Sequence, residues 1–182
     1  MKLADQLDCQ RFVAEDKRLP RLICRGDGRT KLKADTMLNY DELIILDAEE
    51  LGEGSIGSLY ESYLVPALRL HGVSPAKIVE EFDPKAVSYR VISQGRTYVI
   101  YSQEMDTSNG ENWGNATFAF FDIVNRQLEE TPYRFYAFYN GNDLEGMFLT
   151  KEKRDEAVRF LKQKKDWPYL PEPAHPWYGQ PH

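Results

Sequence analysis

Three stretches of this chain carry residue types that could do chemistry. In Asp83-Pro84-Lys85 an acid and a lysine stand two apart, as in metal-dependent nucleases. Those enzymes hold the pair on a strand with a further acid nearby, whereas Pro84 interrupts it here at what reads as a helix exit. The segment from Asp106 to Glu111 has the ligand types of a calcium loop, but its register fails. Gly110 stands at the fifth position instead of the sixth, and Thr117 stands where the twelfth-position Glu is needed. Asn115-Ala116-Thr117 matches the glycosylation sequon inside an expected helix, and it reads as accidental.

The remaining chemistry-bearing residues are scattered. His71, His175 and His182 are too dispersed for a triad or a metal set, and His71 reads as a helix-end residue ahead of Gly72. Cys9 and Cys24 form no CxxC and read as reduced thiols of a cytoplasmic protein. Neither a GxxxxGKS phosphate loop nor a GxSxG elbow occurs. The Gly52-Glu53-Gly54 cluster precedes a helix, but its acidic neighbours oppose anion binding there. No catalytic residue, metal ligand or cofactor site is assigned, and a non-enzymatic role is expected.

Charge placement says more. The 182 residues carry a net charge of -6. Residues 1–40 hold nine basic and six acidic groups, residues 41–150 hold seven and eighteen, and residues 151–182 hold seven and five. The acidity is therefore central. Between Asp41 and Tyr60 lie Asp41, Glu42, Asp47, Glu49, Glu50 and Glu53, with no basic residue among them. Such a run either solvates a face or steers a basic partner toward it. It disfavours nucleic acid as a partner, because that affinity comes from clustered Lys and Arg. No apolar run approaches the ~20 residues of a membrane helix, and MKLADQLDCQ is acidic where a signal peptide is apolar.

The elements that must position these groups follow from periodicity. The first forty residues are poorly defined: Leu3, Leu7 and Phe12 could line a helix, and Arg21–Cys24 could form a strand. Arg25-Gly26-Asp27 is an adhesion tripeptide with no use inside a cell. Leu43–Leu46 reads as a strand. Ile56, Leu59, Tyr60, Tyr63, Leu64, Ala67 and Leu68 make a helical stripe, capped by Ser55, ended by Gly72 and kinked by Pro66. A second helix is expected from the Ser74-Pro75 cap, carrying Ile78, Val79 and Phe82 inward.

From Val87 the period becomes two. Val87, Tyr89 and Val91 share a face, Ser93-Gln94-Gly95 turns, and Thr97 to Tyr101 returns. Asn112 is expected to cap a helix with Trp113, Thr117, Phe120, Phe121, Val124 and Leu128 in its stripe. Tyr133–Tyr139 and Leu144–Leu149 form another hairpin around Asn140–Asp143. Thr150 caps a last helix to about Lys164 that buries Ala157, Val158 and Leu161. This ββαββα order predicts one α+β domain over residues 1–165, with helices packed on an antiparallel sheet of hairpins. Residues 166–182 form a tail with half the chain's ten prolines plus Trp167, Tyr169, Trp177 and Tyr178. Its aromatic content favours packing over projection.

The succession NGENWGNATFAFFDIVNRQL, YRFYAFYNGNDLEGMFLT and a terminal helix, over about residues 86–165, resembles the small immunity proteins of bacterial contact-dependent and polymorphic toxin systems. The resemblance lies in element order and carries over no functional residue. It implies a cytoplasmic α+β protein that binds and neutralises one cognate toxin. The carboxylate-rich surface suits a basic toxin such as a nuclease, whose cationic groove it could occupy by mimicking phosphates. On the residues themselves, Asp47, Glu49, Glu50 and Glu53 are the steering candidates. Asp106, Glu111, Asp143 and Glu145 are the rim carboxylates, with Tyr136 and Trp113 as anchors. Two alternatives stand: a metal-dependent enzyme built on Asp83 or Asp143, and an adaptor recruited through the tail. The oligomeric state is left open.

Overall fold

Three strands between Ser74 and the next helix, where one helix and one hairpin are expected, set the architecture. The computed structural model describes residues 38–105 and 111–173. Strands β1 (Ile44–Ile45), β5 (Tyr133–Phe138) and β6 (Glu145–Thr150) make one antiparallel sheet in the order β1-β6-β5. Strands β2 (Ile78–Asp83), β3 (Ser88–Ser93) and β4 (Arg96–Tyr101) make a second in the order β2-β3-β4. Three helical segments join them: α1 over 48–70, α2 (Glu111–Gln127) and α3 (Lys151–Phe160). The α+β class and both hairpins stand, with the strands divided between two sheets. The expected elements around Leu3–Phe12 and Arg21–Cys24, and both cysteines, lie outside the described residues.

The helix expected from Ser74 is strand β2. Ile78, Val79 and Phe82 fit a helical stripe, but Ile78, Glu80 and Phe82 also fit a period of two. Six cross-strand pairs from Ile78↔Ser93 to Asp83↔Ser88 decide it, a case of tertiary pairing overriding local pattern. Asp83 then closes the turn, its carboxylate accepting from the Lys85 and Ala86 amides at 2.8 and 3.1 Å. At Gln94-Gly95 both residues have positive φ, 49° and 75°, the geometry of a two-residue hairpin turn.

In α1 the cap is Asp47, not Ser55. The Asp47 carboxylate accepts from the amides of Glu49 and Glu50, while Ser55 makes no capping bond. Gly54, at φ 106°, breaks the segment, and wider turns run through Leu51–Ser55 and Tyr60–Leu64. The second wide turn ends at Leu64, with Val65 alone between it and Pro66, whose ring would clash with a regular preceding turn. Tyr63 consequently faces solvent, and Val65 takes its place among the buried residues. Gly72, at φ 75°, ends the helix as expected.

Helix α2 is the centre of the molecule. Its stripe of Thr117, Phe120, Phe121, Val124 and the following Leu128 is buried in one cluster with Ile56, Tyr60, Leu64 and Leu68 of α1, and the helix packs on residues 48–55 and on both sheets. Phe121 stacks on Phe135 of β5 with centroids 4.8 Å apart and planes at 15°. Gln127 ties three segments together by accepting from the Tyr60 hydroxyl (2.8 Å) and the Ala76 amide (2.7 Å). A smaller cluster of Leu38, Tyr136, Phe138, Met147, Leu149 and Ala157 lies on the other face of the first sheet, under α3. Helix α3 is capped by Thr150 as expected but stops at Phe160, where Leu161 turns extended.

Part of the tail packs. The Trp167 indole donates to the Leu161 carbonyl, and Tyr169 is buried with its hydroxyl on the Tyr139 carbonyl. Tyr169 and Ala137 exchange both backbone bonds, at 2.8 and 2.9 Å, so the tail continues the sheet beyond β5. Two residues earlier, Asn125 does the same with a side chain. It gives its amide hydrogen to the Phe135 carbonyl and accepts from the Phe135 amide.

Candidate functional site

The pairing of β1 with β6 gathers the acidic groups. Ile44 lies opposite Gly146 and Ile45 opposite Glu145, and the Leu46 amide bonds the Leu144 carbonyl at 2.8 Å. The acidic run after Asp41 is thereby laid against the short turn Gly141–Asp143. Asn142 reaches back to Glu49 (3.5 Å), and Asn39 donates to Glu42 at 2.8 Å. Among the described residues none of Glu42, Glu49, Asp143 and Glu145 forms an ion pair. Burial and the neighbouring Asp143 raise the Glu145 carboxyl above its usual range. Beside it the Tyr139 hydroxyl is pushed up to about 12, first by burial and then by Asp166 and Glu145.

An apolar patch accompanies these charges. Ile45, directly across from Glu145, is 55% exposed, an unusual position for a strand isoleucine. Nearby Tyr40 is 37% exposed. An exposed isoleucine beside Glu145 and its neighbour Asp143 has the composition of a protein-binding surface: apolar centre, polar edge.

The other expected site residues divide. Asp47 caps α1 and is held by that role. Glu50 and Glu53 are exposed on α1. Gly52 packs against Asn112 and Trp113, which brings Glu53 and Glu111 to one junction. Trp113 is half-buried against the core, and Asn112 lies within α2, whose described start is Glu111. Asp106 and most of the calcium-like loop fall outside the described residues. Tyr136 does not join the acidic end: its ring is buried, 6% exposed, beneath α3.

Around Tyr136 is a cleft of about 490 Å³ between β5, the first turns of α3 and the packed tail. Arg134, Lys151 and Arg154 line it with Tyr169 and Leu170, against the acids Asp155 and Glu172. No spacing in the sequence brings these residues together; chain pairing and the tail do. His71 is likewise placed by packing. Its ring lies 4.3 Å from Tyr133 and 4.7 Å from Phe148, and burial lowers its pKa. Among the described residues no three His, Cys, Asp or Glu side chains stand together as a metal would need. Also among them, no helix is long and apolar enough to cross a membrane. No protein-family model, curated protein or solved structure matches this chain.

Proposed function

We infer that this chain is a non-enzymatic protein-binding module that docks a basic partner on the acidic end of its first sheet. One observation carries the reading. Glu49, Asp143 and Glu145 are brought together by the β1–β6 pairing at the end of the sheet that bears exposed Ile45, without an ion-pair partner among the described residues. Such a field accelerates encounter with a basic surface, and the central apolar residue supplies contact area. A basic toxin domain, the partner implied by the resemblance to immunity proteins, is the first to test.

The experiment is affinity capture from the producing cells with the native chain and two variants, Ile45→Arg and a triple Glu49→Lys, Asp143→Lys, Glu145→Lys exchange. A basic protein held by the native chain, lost from Ile45→Arg and bound more slowly by the triple variant, is the expected outcome. A partner retained equally by all three forms overturns the assignment of this face. Steering also predicts that association of the native chain slows as salt rises, and that this dependence shrinks in the triple variant.

A further inference from the structure

Beyond the acidic face, the cleft around Tyr136 has features that packing alone does not require. The Tyr136 ring is core, while its hydroxyl, which has no hydrogen-bond partner among the described residues, opens into the cleft and is not sealed in protein. Buried phenols ordinarily bond. Tyr60, Tyr89, Tyr98 and Tyr169 all do so in this molecule. Tyr136 instead lines the cleft, a polar handle set into an apolar wall.

Beside it stands a fixed cation. Arg134 donates to the carbonyls of Leu128 (2.8 Å), Thr131 (3.1 Å) and Tyr133 (2.6 Å), which clamp its guanidinium beyond the end of α2. Among the described residues no carboxylate pairs with it, so its charge is held in place and not neutralised. Across the cleft Arg154 is anchored by its Nε on the Pro168 carbonyl at 3.3 Å and by Asp155 at 3.1 Å. Lys151 also leans on Asp155, at 3.4 Å. Three cations thus face two acids, and Asp155 already serves two of the cations. The tail completes the cleft, with Tyr169 and Leu170 as apolar lining.

We propose that this cleft binds a small organic anion, a carboxylate or phosphate on an aromatic or apolar body, with the Tyr136 hydroxyl and the Arg134 guanidinium as its anion contacts. The volume fits a compact molecule of this kind, since small-ligand pockets run from about 300 to 1,000 Å³. The anion bonds the phenol that opens into the cleft and pairs with the guanidinium that no carboxylate meets, and its body covers Leu170 and the tyrosine rings. Charge-assisted bonds of this type are the strong ones. The cleft lies at the opposite end of the sheet face from Glu145, so occupancy leaves the acidic end free.

The test uses the full chain with benzoate, phenyl phosphate and neutral benzyl alcohol, followed by calorimetry and by the ring resonances of tyrosine. Saturable one-to-one binding of an anionic probe that shifts the Tyr136 resonances, with none by benzyl alcohol, is expected. Tyr136→Phe removes an unbonded hydroxyl, so it leaves the fold intact while weakening the anion about tenfold, the worth of one bond to a charged group. Arg154→Gln weakens it as well. Arg134 is a poor site for exchange because it clamps the end of α2. No saturable binding of either anion at millimolar concentration overturns the proposal. So does equal binding of benzyl alcohol, or undiminished affinity in Tyr136→Phe.

Discussion

The ring of Phe135 lies over Gly146 on the neighbouring strand, so close that any Cβ at Gly146 would collide with it. The two are diagonal neighbours, since Phe135 pairs with Phe148 and Ala137 with Gly146. The missing side chain lets the ring lie against the β6 backbone and still stack on Phe121, joining sheet to helix. Gly146→Ala therefore forces the ring off its position. Overpacking of this kind costs about 1–3 kcal/mol, read as a lower urea midpoint at unchanged slope.

Thr117 offers the opposite effect. Its side chain is fully buried on α2, and its hydroxyl has no partner among the described residues. Exchange to valine keeps the shape and deletes an unsatisfied polar atom. Thr117→Val should raise stability by about 1 kcal/mol, seen as a higher urea midpoint.

His71 gives stability a pH dependence of known sign. Burial against Tyr133 and Phe148 lowers its pKa below the usual 6.5, with Glu42 opposing weakly. The folded protein then binds fewer protons than the unfolded chain. The contribution is fully present above 6.5 and is lost as pH falls through the lowered folded value. His71→Phe keeps an aromatic contact but cannot protonate. Urea midpoints between about pH 7 and 5 should fall less in that variant than in the native chain.

Glu145 acts in the other direction. Its carboxyl is raised above 4.5, so the fold favours the neutral form, and the stability this gives is lost as pH climbs through the raised value. A basic partner favours the ionised form instead. Affinity at the acidic face should rise with pH above 4.5 and take up this rise together with proton release. Glu145→Gln should flatten that part of the profile in calorimetry across buffers of different ionisation heat.

Much of this scaffold was legible in the residues. The stripe from Thr117 to Leu128, the Gln94-Gly95 turn and the Thr150 cap are local signals, and they appear as read. Strand β2 was not legible, because Ile78, Val79 and Phe82 satisfy two periods and only pairing with β3 chooses. The start of α1 misled for a related reason: Asp47 and Ser55 are both good caps, and Gly54 separates their claims. The carboxylates of Glu49, Asp143 and Glu145 were visible as charges, but their convergence depends on the two-residue strand Ile44–Ile45. The cleft was invisible, since Arg134, Tyr136, Arg154 and Leu170 meet only after two elements and the tail have folded.

The outer edge of β5 has a meaning of its own. Strand edges with open amides and carbonyls recruit further strands, from copies of the same chain or from other proteins. Here one stretch of that edge is taken by an amide side chain, Asn125, and the next by a single tail residue, Tyr169. The tail around Tyr169 therefore acts as a selvedge, a finished border on this stretch of the sheet. Pro168 just before Tyr169 and Pro171 two residues after it each lack a backbone donor, which limits how far this border can pair with a further strand.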